Sequence, residues 1–226
     1  MFELILVFLI VAALVCELLT AKQSREQVEA GNKTKIATYK QTMLLLWLPT
    51  IFLIVAILKG EISVEGWGLS PQLDSGFFAG AALLTLVSAY FAFSLRSIRG
   101  SEKLKSESKK QLADMAWILP NSSNERYWFI FGVSVAAGIC EELLFRGFLL
   151  SFLQPMVGTT LAVIVSSVTF GLFHLYQGWS NVLRTGLVGL VLAIIYLLTG
   201  SIWIVIVLHF LLDAYAGQLS YLVNNQ

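Results

Sequence analysis

The chain has 226 residues, of which 57% are hydrophobic and only 13% charged, and its formal net charge is +1. That composition is far from a soluble domain's, and so balanced a charge gives no electrostatic case for nucleic acid or an acidic partner. The apolar residues come in long runs rather than at helical spacing, and a helix needs about 20 of them to cross the hydrocarbon core of a bilayer.

Seven runs of this kind lie near residues 2–20, 42–59, 76–95, 127–153, 158–176, 182–199 and 202–223. They predict an all-α integral membrane protein, a polytopic bundle of about seven transmembrane helices that uses nearly all of these residues. The first run has no basic n-region: Glu3 is acidic and Lys22 follows the run directly, which fits a retained membrane helix better than a cleaved signal. The connection after it, 21–41, carries Lys22, Arg25, Lys33, Lys35 and Lys40. The connection after the second run, 60–75, has Glu61, Glu65 and Asp74 and no basic residue. The connection after the third, 96–126, carries Arg96, Arg99, Lys103, Lys105, Lys109, Lys110 and Arg126. Basic connections stay in the cytoplasm. With seven spans, this puts the N-terminus outside and the C-terminus in the cytoplasm.

Within the third connection, 101–117 reads either as an amphipathic helix on anionic headgroups or as a solvated linker. Trp67, Trp117, Tyr127, Trp128, Trp179 and Trp203 are expected in the aromatic belts at the two interfaces. Residues 1–126 form an N-terminal transmembrane region of three spans, and 127–226 a core of four. No internal repeat is visible, so an inverted-repeat transporter is not suggested. Cys16 and Cys140 both fall in apolar runs and read as buried apolar side chains rather than a disulfide.

The last four runs contain or border seven ionisable residues: Glu141, Glu142, Arg146, His174, Arg184, His209 and Asp213. An isolated charge at mid-bilayer costs about 2.5 kcal/mol or more, so such residues face a protein interior or a wet cavity. Glu142 and Arg146 are four apart and share a helix face, where they can pair. Glu141 lies about 100° round the helix and is left free, in a low-dielectric site suited to a general base. Phe170 stands four residues before His174 and is placed to pack beside its ring. His209 and Asp213 also share a face, and the carboxylate can orient the imidazole. Both histidines of the protein lie in apolar runs beyond the glutamate pair.

Three chemistries suit this set. Glu141 and His174 can activate water while His209 and Asp213 stabilise an oxyanion. A divalent metal such as zinc can be held by imidazoles and carboxylates among Glu141, His174, His209 and Asp213. The same residues can relay protons in a transporter. Neither Gly-x-Ser-x-Gly nor His-Glu-x-x-His is present.

Taken together, Glu-Glu-x-x-x-Arg at 141–146, Phe-x-x-x-His at 170–174 and His-x-x-x-Asp at 209–213 resemble the three signatures of the CPBP family. This is the intramembrane protease family of CAAX proteases and bacteriocin-processing enzymes, also called Abi. The resemblance covers roughly 127–217. It implies an endopeptidase that hydrolyses a peptide bond of a protein or peptide substrate at the membrane, in a membrane-embedded polar cavity open to the cytoplasm. It implies that Glu141 and His174 activate water, that His209 and Asp213 face the tetrahedral oxyanion, and that Glu142 and Arg146 support the site. Members are often called metalloproteases, with the need for metal argued both ways. The resemblance also implies a bacterial plasma (inner) membrane. The CAAX-cleaving members have Asn where this chain has Asp213. An amide can donate to an oxyanion and an ionised carboxylate cannot, which weakens the case for a prenylated CAAX substrate. A catalytically inactive membrane regulator or binding partner of the same fold is the alternative.

Overall fold

The structure is a computed structural model that describes residues 1–225, apart from the side chains of Glu17, Ala21 and Ser180. The described residues form helices and connections, with no strand among them. The helices are α1 (Phe2–Glu29), α2 (Lys35–Leu58), α3 (Ser75–Arg99), α4 (Glu102–Gln111), α5 (Ser123–Val157), α6 (Thr159–Leu172), α7 (Trp179–Thr199) and α8 (Ile202–Asn224). Among the described residues, six helices are long and apolar enough to cross a membrane, and the chain is an integral membrane protein. The exception among the seven expected spans is the fifth. Only 159–172 of it is α-helical, and 14 residues rise only about 21 Å against a core of about 30 Å.

Contacts at the two ends of the bundle give the path of the second half. At one end, the Ser123 hydroxyl meets Tyr221 at 2.9 Å and Asn225 Nδ2 donates to the Asn121 carbonyl at 2.6 Å. Tyr176, just past α6, packs edge-on to Trp117 at the same end. At the other end, Tyr196 donates to the Gly66 carbonyl, Trp203 Nε1 donates to the Leu69 carbonyl, and Trp67 packs on Gly147. The chain from 123 to 224 therefore passes between the ends four times, with α6 and its following turn making the second pass.

Local chemistry explains where these helices start and stop. Asp74 caps α3 by accepting from the Phe77 amide, and Ser122 with Glu125 forms a capping box on α5. Gly200 ends α7 in the left-handed region. The lysine-rich segment is helical over α4, with Ser101 as its cap. Beyond α4 the chain turns inward, so Trp117, Ile118 and Leu119 are buried rather than lying on headgroups.

Two belt assignments are corrected here. Trp67 is 1% exposed and Trp117 7%. Gly66 and Gly68, both with positive φ, turn the 60–74 connection back over the bundle. That drives the Trp67 indole into the slot left by Gly147, where a Cβ would come within 2.7 Å of the ring. Tyr127, Trp179 and Trp203 are exposed. Cys140 is buried, whereas Cys16 lies exposed on α1.

Candidate active site

Glu141 and Glu142 sit midway along α5, between two stretches in which the helix widens to π geometry, Phe129–Ser134 and Leu143–Leu149. Such π turns rotate the residues beyond them and occur often at functional sites. Ser134 Oγ donates to the Phe129 carbonyl at 3.0 Å, satisfying a backbone group inside the first widening. Gly138, one turn before the glutamates, brings α8 close: a Cβ there would lie 3.0 Å from the Ile206 carbonyl oxygen. The two helices can therefore face each other across the glutamates and His209.

The four-apart pairing of Glu142 and Arg146 is present, with Arg146 Nη1 donating to Glu142 Oε1 at 2.8 Å. Both side chains are essentially fully buried. A buried ion pair is tolerable only when further hydrogen bonds satisfy it. Here Arg146 Nη2 donates to the Gly189 carbonyl at 2.8 Å, and the guanidinium lies 4.5 Å over the Phe170 ring. Gly189 permits this packing, because a Cβ there would meet Phe170 at 2.9 Å.

Glu142 also binds a partner that helix periodicity could not reveal. His209 Nδ1 lies 2.7 Å from Glu142 Oε1, across from α5 to α8. The carboxylate accepts, so Nδ1 carries the hydrogen and Nε2 points the other way. Nε2 lies 3.9 Å from Glu141 Oε2 and 3.8 Å from Asp213 Oδ2. The expected His209–Asp213 face-sharing is therefore real, but the short bond that orients His209 comes from Glu142. Two carboxylates, those of Glu141 and Asp213, thus converge on Nε2.

His174 lies beyond the end of α6. Its Nδ1 is 2.9 Å from the Phe170 carbonyl, one of the terminal carbonyls a helix leaves without an amide partner. A carbonyl only accepts, so Nδ1 carries the hydrogen and the Nε2 lone pair is free to act as a base. The Phe170 ring stands between the two histidines, 4.9 Å from His174 and 5.7 Å from His209.

Glu141, His174 and Asp213 line one cavity of about 170 Å³. Glu142, Arg146 and His209 are not among its lining residues and stand behind it. Its walls also include Thr38, Gln41, Trp117 and Gln177, none of which stood out in the sequence as site residues. Polar side chains in α2 and in the turn after α6 were the available signal. The wall segment at 116–119 is tied to α2, with Lys35 Nζ donating to the Ala116 and Leu119 carbonyls at 2.7 and 2.6 Å. Glu141 Oε2 is buried and makes no hydrogen bond to the described residues. Such an oxygen is costly unless a proton or water satisfies it.

A zinc site requires donors about 2.0–2.2 Å from a common point. Among the described residues no group of three His, Cys, Asp or Glu is arranged to hold an ion. His174 Nδ1 and His209 Nδ1 are engaged by other acceptors, which leaves Nε2 as the nitrogen each ring could offer to an ion. As placed, these side chains do not converge into a metal-ligand set.

Comparison with known proteins bears on the same region. Residues 123–215 match the family model described as Type II CAAX prenyl endopeptidase Rce1-like. That range contains all three motifs on which the resemblance rests. No curated protein and no solved structure matches the chain.

Proposed function

We propose, from a segment at 123–215 that belongs to the CPBP/CAAX protease family, that this integral membrane protein is an intramembrane endopeptidase working by activated water. The observation that carries the reading is the pairing of Glu141 and His174 on one cavity: a buried carboxylate oxygen without a hydrogen bond and an imidazole whose Nε2 lone pair is free.

In this reading, Glu141 with His174 takes a proton from a water molecule as its oxygen attacks the scissile carbonyl carbon. The carbonyl becomes a tetrahedral oxyanion. His209, oriented by Glu142, presents an Nε2–H toward it when protonated. Collapse of the intermediate breaks the C–N bond, and the proton taken from water passes to the leaving amine. The products are one new carboxylate and one new amine. Asp213, beside His209 Nε2, stabilises the protonated imidazole. Arg146 and Phe170 keep Glu142 and the two rings in place. The chemistry needs no donor beyond these side chains, and chelation is its direct check.

The cavity is the polar chamber of the bundle, and residues 127–226 form its catalytic core, with 1–126 supplying part of its wall. The short α6 and the turn to Gln177 complete a seventh crossing. The basic connections then face the cytoplasm, the N-terminus lies outside, the C-terminus is cytoplasmic, and the cavity opens to the cytoplasm of a bacterial cell. The substrate is a membrane-associated protein or peptide, and Asp213 in place of Asn argues for one other than a prenylated CAAX protein. The test is cleavage of membrane substrates by wild type and Glu141→Ala. Equal turnover by a folded variant contradicts the mechanism.

A further inference from the structure

A second concavity, larger than the first, lies on the membrane-facing surface between α3 and α7 and is floored by α8. Its volume is about 910 Å³, within the range of about 300–1,000 Å³ typical of sites that take a whole small molecule. None of Glu141, His174, His209 or Asp213 lines it. Small residues at one end explain its shape. Gly76 and Gly80 of α3 lie so close to α7 that a Cβ on Gly76 would fall 2.7 Å from the Leu198 carbonyl oxygen and one on Gly80 2.9 Å from the Thr199 methyl. Toward the other end, α3 turns its face to α8 instead, where Phe91 stacks on Tyr215 at 4.2 Å and Ser94 meets the Tyr215 hydroxyl at 2.8 Å. The helices α3 and α7 are thereby pinned at one end and splayed at the other.

The splayed end carries the groove's one ionised side chain, Arg184. It is exposed, and among the described residues no carboxylate lies within ion-pair distance of it. Trp179, an exposed interface tryptophan, precedes it by five residues, so Arg184 sits about 7–8 Å deeper along α7. From that depth an arginine stem reaches back to headgroup level. A cation there calls for an anion, and the bilayer supplies phosphate at that level. A guanidinium binds phosphate through two parallel hydrogen bonds.

We propose that this groove binds one anionic membrane phospholipid, with Arg184 on its phosphate and its acyl chains along Leu86, Leu187, Leu208 and Leu212. Leu208 and Leu212 immediately precede His209 and Asp213 on α8. The bound lipid therefore lies against the helix that carries half of the candidate site, on a face about 100° round from it. The proposal is independent of the protease reading.

Native mass spectrometry of the detergent-purified full chain, titrated with dioleoyl-phosphatidylglycerol or dioleoyl-phosphatidylcholine, tests it. Wild type is expected to retain one phosphatidylglycerol in preference to phosphatidylcholine. Arg184→Gln should lower that preference about fivefold, the effect of one basic residue near an anionic lipid. Leu187→Trp, which fills the groove from an exposed position, should abolish retention of both lipids, and Val191→Phe repeats that test should the first variant fail to fold. Changing Lys109 and Lys110 of α4 to Gln should leave the preference intact. Preference unchanged in Arg184→Gln, or lost with the α4 lysines instead, overturns the proposal. So does unchanged retention in the groove-filling variants, or a wild-type dimer that Leu187→Trp dissolves, which would assign the groove to a second copy of the chain.

Discussion

His209 Nδ1 and Glu142 Oε1 lie 2.7 Å apart, although 67 residues separate them in the chain. The same oxygen accepts from Arg146, so one carboxylate oxygen ties the first motif to the third. This bond fixes which ring nitrogen of His209 faces Glu141 and Asp213.

Glu142→Gln should therefore slow turnover on the order of 10²-fold or more, through a misoriented imidazole rather than lost substrate binding. The expected signature is a fall in kcat with KM little changed. Glu142→Asp, which keeps the charge on a shorter stem, should recover part of the loss. A fall confined to KM would mean that Glu142 acts on substrate binding instead.

Asp213 offers a sharper contrast. An Asn at this position can donate to an oxyanion, and it removes one of the two carboxylates facing His209 Nε2. Asp213→Asn should keep activity within about tenfold of wild type, whereas Asp213→Leu should lose it by about 10²-fold or more. Side-by-side kcat/KM values decide the matter. Equal losses in the two variants would show that the carboxylate itself is required.

Gly138 sets the spacing between the two site helices. Gly138→Val must push against the Ile206 carbonyl and the Phe210 backbone, at 3.0 and 3.3 Å from the first added carbon. The expected cost is about 1–3 kcal/mol of stability, typical of overpacking. A lowered Tm in detergent should accompany reduced activity, because separating α5 from α8 stretches the Glu142–His209 bond. An unchanged Tm would contradict the close approach.

Metal removal gives an independent check on the water-activation chemistry. Incubation with a strong chelator should leave turnover unchanged, and elemental analysis should find no stoichiometric zinc. Loss of activity restored specifically by zinc would replace the account with Lewis-acid chemistry.

The parts of this molecule legible in its sequence were those that local periodicity controls. Long apolar runs marked the helices, and the four-residue spacing marked the Glu142–Arg146 pair and the shared face of His209 and Asp213. Contacts between helices were not legible, because nothing in the local pattern ties Glu142 to a histidine on α8 or sends the Trp67 indole into a slot at Gly147. The fifth run read as a full span because its composition stays apolar to His174. Its helix ends earlier, at Leu172, and His174 folds back to the Phe170 carbonyl. The glycines at 138, 147 and 189 were the available signal of close helix approach, since apolar helices that touch closely need small residues there.

Comparison of the membrane proteome of cells carrying wild type with that of cells carrying Glu141→Ala, at matched abundance of folded protein, tests the central claim most directly. The account predicts at least one cleavage product present with wild type and absent with the variant. Identical sets of products would contradict it.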